Sequence, residues 1–180
     1  MSIIHSFYVM IESIENLGGF LMTIYSLSAK NCMSHLLLKE TFDQFSFIEA
    51  EFTTWGKFRL DGYLQEDFFD EKPEEPYARW EKARDFCFQI IRGKRTPLNF
   101  KIILALPADQ YPDFLTRHGL TAYRPENIHG LYLNFHYDGT TLHCTTGTAL
   151  TTFTLDKTLE QSWDQEAKTI LKTNQIEGDY

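Results

Sequence analysis

Residues 128–155, IHGLYLNFHYDGTTLHCTTGTALTTFTL, decide the fold because they predict a β-hairpin with a defined register. Apolar and polar side chains alternate along this stretch up to Asp138-Gly139, a dipeptide typical of two-residue hairpin turns. A turn at this dipeptide sets Phe135 opposite Leu142. A slip of one residue would set apolar side chains opposite polar ones, so the alternation favours this register and gives the hairpin one apolar face.

The other face of this hairpin is polar and forms the first candidate site. It carries His136 and His143, which the predicted register makes diagonal neighbours on adjacent strands. Two imidazoles so placed could hold a metal ion with a third ligand, or bind a phosphate or carboxylate. Tyr132 and Asn134 share this face as candidate binding residues. The alternative is a solvated face on which Tyr, Thr and His merely suit a strand.

Composition predicts one domain, or two small subdomains, with a substantial core. The chain has 180 residues, of which 43% are hydrophobic and 15% aromatic. Its net charge of −8 argues against general binding of nucleic acids or anionic membranes, although a local basic patch could still act. No apolar run is long enough to span a membrane. Three cysteines form no CxxC motif and no even set, which favours a reducing, cytoplasmic setting: Cys32, Cys87 and Cys144.

Residues 1–21 are predicted to form an N-terminal extension that precedes a single α+β domain at 22–175. The segment is apolar but contains Glu12 and Glu15 and no Lys or Arg. A secretory signal begins with positive charge, so this segment does not fit one. We therefore expect it to be dispensable for folding.

The periodicity of the remaining chain predicts two βαββ-type units, at about 22–64 and 98–155. An acidic, proline-containing loop at 65–77 and a helix at 78–92 join them. Because each unit lays a helix on one face of a mostly antiparallel sheet, the predicted fold class is α+β. The other predicted helices cover 29–40, 108–118 and 156–172, and a further strand is predicted near 150–155.

The first unit contains a second hairpin at 45–64, which supplies the second candidate site. A three-residue loop with a left-handed Gly56 sets Glu49 opposite Asp61. Opposed carboxylates raise one pKa and can divide the roles of acid and base, so this pair is the candidate catalytic site of a small hydrolase. Arg59 shares the face as a binding residue. The alternative is an exposed ion network around Arg59.

The most concentrated positive charge lies at Arg92, Lys94 and Arg95, which form a candidate basic patch. This patch could meet the phosphates of a partner. The alternative partner is the loop at 65–77 of the same chain, in which six acids lie close in sequence.

Cys32 and His35 lie three residues apart on the first predicted helix, with Cys32 near its positive end. That position would lower the pKa of the thiol and create a nucleophile. The alternative is a cysteine in the apolar stripe of the helix, which is the usual environment of this residue.

Several segments resemble a family of small bacterial proteins of unknown function. They are FRLDG at 58–62, FCF at 86–88, GKRTPL at 93–98, CTTGT at 144–148 and FTLDK at 153–157. The resemblance covers nearly everything after Met22. It implies a small, intracellular bacterial protein and carries no activity with it.

A second resemblance is to the sliding-clamp fold, whose domains are built from two βαβββ units. Two segments are similar to clamp segments: AKN at 29–31, and YDG at 137–139 with TTG at 145–147. This resemblance implies a clamp-like protein in DNA transactions, by analogy of fold. Clamp helices that face DNA are basic, whereas the predicted helix at 108–118 carries Asp109 and Asp113.

The sequence therefore favours a non-catalytic intracellular interaction protein. One alternative is a small hydrolase or metal-dependent enzyme that uses a polar hairpin face, and another is a clamp-like protein. No cofactor is assigned, and a protein partner or a second copy of the chain stays open.

Overall fold

The computed structural model describes residues 23–179, and these form one antiparallel sheet with helices. The strands are β1 (Ile24–Leu27), β2 (Ser46–Thr53), β3 (Lys57–Asp61), β4 (Asn99–Ala105), β5 (Ile128–Tyr137), β6 (Leu142–Leu150) and β7 (Gly178–Asp179). The helices are α1 (Ala29–Leu37), α2 (Trp80–Ile91), α3 (Tyr111–Arg117) and α4 (Thr158–Thr173). The strand order in the sheet is β3-β2-β4-β5-β6-β1-β7. The predicted extension at 1–21 lies outside the described residues.

The core lies between one face of this sheet and the four helices, which confirms the predicted α+β class. Alternate strand residues face the helices, as in β4: Phe100, Ile102 and Leu104. The largest side chains of the core are Trp80 and Trp163, and both are fully buried. Their indole N–H groups donate to the carbonyls of Leu36 (2.7 Å) and Tyr132 (2.9 Å), so neither donor loses its partner on burial. No helix in the described chain is long and apolar enough to cross a membrane.

A β-α-β-β-α order occurs twice along the chain, as predicted for the first unit and with one strand fewer than predicted in the second, and the two units share a single sheet. The first runs from β1 to α2 and the second from β4 to α4. β1 pairs with β6 of the second unit rather than with β2 or β3 of its own. Ile24 lies opposite Thr145, more than a hundred residues away in sequence. Strand pairs so distant in sequence leave no local pattern in it. The repeated order of elements could therefore be predicted from the sequence, whereas the order of the strands in the sheet could not.

The β2–β3 hairpin has the predicted register, with Phe52 opposite Phe58. Its loop differs from prediction because Gly56 does not adopt the left-handed conformation. The loop closes instead with the Thr54 N–H donating to the Gly56 carbonyl at 2.9 Å. The register survives because the alternating apolar side chains, rather than the glycine, determine which residues pair.

The β5–β6 hairpin keeps its predicted faces, but the predicted pairing is wrong by two residues. Phe135 lies opposite Cys144. The turn moves because the Asp138 carboxylate accepts the backbone N–H groups of Thr140 and Thr141, both at 2.8 Å. The Asp138 N–H donates to the Thr141 carbonyl at 3.2 Å, so Asp138 precedes the turn instead of forming its centre. A shift of two preserves the alternation, and the apolar face is unchanged.

Three predicted boundaries are also corrected. β6 continues to Leu150 beside β5, and residues 151–155 form no strand. α1 ends at Leu37, three residues earlier than predicted, where the chain turns so that Phe42 enters the core. The helix predicted at 108–118 begins as a 3-10 turn, Ala108–Gln110, before α3.

The sheet face that points away from the helices, here called the outer face, carries a small apolar cluster at one end. Ile48, Ile103 and Ala105 are buried there beneath Tyr77 and Tyr132. Tyr77 belongs to the segment that follows β3, so this segment covers one end of the outer face. Most of the remaining outer face carries polar and charged side chains, and Ile24 is an exposed apolar exception.

Candidate functional site on the outer sheet face

One transverse row of polar side chains crosses six strands of the outer face. Its members pair strand by strand in the order Arg59, Glu51, Lys101, His136, His143 and Ser26. Side chains directly opposite each other on antiparallel strands have Cβ atoms about 5 Å apart. We call this set the polar row.

A second row runs beside the polar row and contains the carboxylate pair. Its order is Asp61, Glu49, Ile103, Asn134, Thr145 and Ile24. Tyr132 follows next along β5, opposite Ala105. The two candidate sites from separate hairpins therefore occupy one continuous face.

The two histidines are direct neighbours rather than diagonal ones. His136 pairs with His143, and the Nδ1 atom of His143 lies 3.3 Å from the Ser26 hydroxyl. Asn134 lies opposite Thr145 instead of His143. In the described chain no group of three or more His, Cys, Asp or Glu residues could hold a metal ion. The neighbours of the pair on either side are Lys101 and Ser26, so it lies in a row of hydrogen-bonding groups.

The carboxylate pair has the predicted geometry, with Glu49 opposite Asp61. Asp61 accepts the backbone N–H of Tyr63 at 2.8 Å. Arg59 does not neutralise this pair, because its Nε atom lies 3.4 Å from Glu51 instead. Lys57 also bonds Glu51, at 2.8 Å. An ion network is present on this face, and its centre is Glu51.

Tyr77 borders the carboxylate pair, and Tyr132 lies near Tyr77. Burial raises the pKa of Tyr77, and the nearby Asp61, Tyr63 and Glu49 raise it further. Burial also raises the pKa of Tyr132 to about 12. A Cβ atom at Gly130 would lie 2.1 Å from the Tyr132 ring, so this packing requires glycine at 130. Both phenols stay protonated at neutral pH and can act as hydrogen-bond donors.

The basic patch lies apart from the outer face, in the loop between α2 and β4. Arg92, Lys94 and Arg95 are exposed. The loop is attached to the β2–β3 turn, since the Leu98 N–H donates to the Thr53 carbonyl at 2.8 Å. No ion pair among the described residues joins the patch to the acidic loop. The ion pairs of that loop are local, as between Lys72 and Glu66.

The proposed Cys32 nucleophile is overturned by burial. All three cysteines are free and fully buried. Burial raises the pKa of the Cys32 thiol well above its usual range, where a nucleophile needs a lowered value. His35 is engaged elsewhere: its Nδ1 lies 2.8 Å from the Thr41 hydroxyl, and the Lys39 ammonium donates to its Nε2 at 2.9 Å.

Three hollows in the described chain border helices. One of about 450 Å³ lies between α4 and the loop after α3, and it includes His118, whose Nε2 is 2.9 Å from Glu166. Another of about 570 Å³ lies beside His35. A third of about 230 Å³ includes Asp61 at its edge. The histidine pair lines none of the three. Sequence analysis missed His118 because its partner Glu166 is 48 residues away.

Comparison with known proteins identifies a family. Residues 35–179 match the model of a family of unknown function, DUF5721. No curated protein and no solved structure matches the chain. The resemblance to a family without assigned activity is thus confirmed, and the resemblance to the sliding-clamp fold stays a prediction.

Proposed function

We propose that this chain, which belongs to the DUF5721 family of unknown function, is a non-catalytic interaction protein whose outer face binds another protein. The observation that carries the proposal is the polar row, which places side chains of six strands on one broad surface. Small substrates bind in concave pockets, whereas protein partners bind over broad surfaces. The hollows described above do not contain the histidine pair.

The charges of the outer face support a protein partner over a nucleic acid. Three cations face this side: Lys57, Arg59 and Lys101. Four acids face the same side: Glu49, Glu51, Asp61 and Asp179, which continues the polar row on β7 opposite Ser26. A surface that binds phosphate backbones carries a clear excess of positive charge. Alternating charges without a positive excess instead suit a partner surface with the complementary pattern, where they set orientation and the rate of association.

We propose that the protein acts in the cytoplasm. The support is chemical: Cys32, Cys87 and Cys144 are all free. Disulfides are rare where thiols are kept reduced, and buried free cysteines behave there as small apolar residues.

The test is affinity capture from an extract of the source cells, with bound proteins quantified by mass spectrometry. The face variant, Arg59→Glu with Lys101→Glu, reverses two charges of the outer face. The matched control, Lys30→Glu with Lys172→Glu, makes the same change in net charge at exposed positions on the helices. We expect at least one protein to be retained by the wild type and the control, and depleted roughly tenfold or more by the face variant.

Circular dichroism and the thermal midpoint establish that both variants are folded before capture. The proposal is contradicted when the folded face variant and the control retain the same proteins in the same amounts.

A second candidate function, a metal-dependent enzyme, rests on the direct pairing of His136 with His143. A zinc titration followed by NMR of the imidazole nitrogens tests it. Metal binding would shift His136 and His143 together, and His136→Ala would abolish the shift at His143. Titration without a shift at either ring eliminates this candidate.

A further inference from the structure

Large apolar side chains are exposed at both ends of the β2–β3 hairpin. At the turn, Trp55 is 89% exposed and Leu98 is 63% exposed. At the other end, the segment after β3 carries Phe68, which is 84% exposed, in edge contact with Phe69. Exposed apolar groups of this size, when clustered, mark contact surfaces on soluble proteins.

The two clusters are surrounded by opposite charge. Arg92, Lys94 and Arg95 are exposed in the loop that leads to Leu98, and the Leu98 N–H is bonded to Thr53, two residues before Trp55 in the β2–β3 turn. We call Trp55, Leu98 and these three cations the basic end. Phe68 and Phe69 lie within residues 65–76, the acidic end, which contains six acids and a single cation, Lys72. Lys72 bonds Glu66, and Arg79 from outside the segment bonds Glu75. Four of the acids are exposed and form no ion pair in the described chain: Asp67, Asp70, Glu71 and Glu74.

The two ends form no ion pair with each other in the described chain, and they are attached near opposite ends of β2. The Leu98 N–H donates to the Thr53 carbonyl, which fixes the basic end at the last residue of β2. The acidic end is fixed near the start of β2, because the Leu64 N–H donates to the Pro76 carbonyl and the Phe47 N–H to the Ala78 carbonyl. Six residue steps along β2, from Phe47 to Thr53, separate these points by about 20 Å.

We propose that the acidic end of one copy docks on the basic end of a second copy, head to tail. The second copy is the occupant because this chain itself carries both halves of the match, each with an apolar centre and a rim of charge opposite to that of the other. Interfaces combine an apolar centre with a polar rim in this way, and complementary charges fix their orientation. Pairing of like ends in a two-fold dimer would instead bring charges of the same sign together.

A single acidic-to-basic contact leaves one free end of each kind, so the assembly continues into a closed ring or an open filament; an antiparallel two-fold dimer is the arrangement in which two copies satisfy both contacts at once. This contact is separate from the outer face proposed above. Charge reversal at Arg59 and Lys101 is therefore expected to leave it unchanged.

Sedimentation velocity of the full chain tests the proposal over a range of protein concentrations. At an ionic strength of about 0.05 M we expect mass to grow with concentration, and at about 0.5 M we expect roughly tenfold weaker association, since salt screens the charges. The basic-end variant carries Arg92→Glu, Lys94→Glu and Arg95→Glu. The acidic-end variant carries Asp67→Lys, Asp70→Lys and Glu71→Lys. Each variant alone is expected to be monomeric.

Mixing the two variants gives the decisive measurement. One has two acidic ends and the other two basic ends, so the mixture is expected to associate while the separate proteins do not. The matched control reverses three exposed lysines elsewhere, with the same change in net charge as the basic-end variant: Lys30→Glu, Lys157→Glu and Lys172→Glu. It should associate like the wild type. Phe68→Ser, which leaves every charge in place, should weaken association about tenfold.

A wild type that stays monomeric at the highest concentration in low salt overturns the proposal, and such a result would point to a different protein as the occupant of each end. Equal association of the wild type and both end variants also overturns it. So does a mixture of the two folded variants that remains monomeric.

Discussion

The ion pair between Arg84 and Asp43 attaches α2 to the loop after α1, and its removal gives a pH-dependent prediction. The Nη1 atom of Arg84 lies 2.8 and 3.0 Å from the two carboxylate oxygens, and it also donates to the Lys39 carbonyl at 2.8 Å. Only 17% of the Arg84 side chain and 11% of the Asp43 side chain are exposed. Burial raises the pKa of Asp43 even though Arg84 lowers it. Desolvation therefore already outweighs the attraction of the arginine.

Arg84→Met removes the cation and leaves the carboxylate buried. Breaking a buried pair in this way costs about 3 kcal/mol of the free energy of unfolding at neutral pH. Without Arg84 the pKa of Asp43 rises further, so the native state binds the Asp43 proton more tightly than the unfolded state does. The contribution of Asp43 to the stability of the variant must then increase as pH falls toward that pKa. The stability deficit of the variant relative to the wild type shrinks by about 1.4 kcal/mol for each unit by which its Asp43 pKa exceeds that of the wild type.

Urea denaturation followed by tryptophan fluorescence, at about pH 7 and about pH 4.5, measures this deficit. The double variant Arg84→Met with Asp43→Leu serves as control, because apolar groups of similar volume replace a buried pair at little cost. Its stability should exceed that of Arg84→Met alone. An equal deficit at both pH values, or a double variant that loses more than the single one, refutes the reasoning.

Three further predictions follow from single contacts. Gly62→Ala should cost about 3 kcal/mol by urea denaturation, since its Cβ would lie 1.8 Å from the Phe47 carbonyl oxygen. Backbone N–H groups of Thr141 and Thr140 lower the pKa of Asp138 to about 2 from 3.8, so Asp138→Asn should lose less thermal stability than the wild type as pH falls through that interval. In the native protein no cysteine should react with Ellman's reagent, and all three should react after unfolding: Cys32, Cys87 and Cys144.

Local patterns predicted the faces of the hairpins well and their registers less reliably. The register of the β2–β3 hairpin follows from apolar alternation on both of its strands, and the structure has it as predicted. At the β5–β6 turn, the Asp-Gly dipeptide indicated the right place but the wrong pairing. The Asp138 side chain competes for the N–H groups of Thr140 and Thr141, and a dipeptide rule does not contain that competition.

The candidate site was predictable residue by residue, but its assembly was not. Alternation alone placed Glu49 and Asp61 on one polar face and His136 and His143 on another. Whether those two faces adjoin depends on strand order, which brings β4 between the hairpins. The same limit applies to the basic patch, for which proximity in sequence suggested the acidic loop as a partner. The length of β2 separates the two.

β4 determines that the two polar faces become one surface. Its partners are β2 on one side and β5 on the other. The alternation of side chains along β4 therefore determines which face of each hairpin points to the same side of the sheet. Lys101 lies opposite both Glu51 and His136, and the side chains of three strands consequently point the same way. A slip of one residue between β4 and either neighbour would turn one hairpin over and bury its charges against the helices. Phe100, Ile102 and Leu104 prevent that slip, because each is essentially inaccessible to solvent and no polar residue could take its place without a hydrogen-bonding partner. The outer face is in this sense a product of the core: the apolar residues of one central strand keep the polar row continuous.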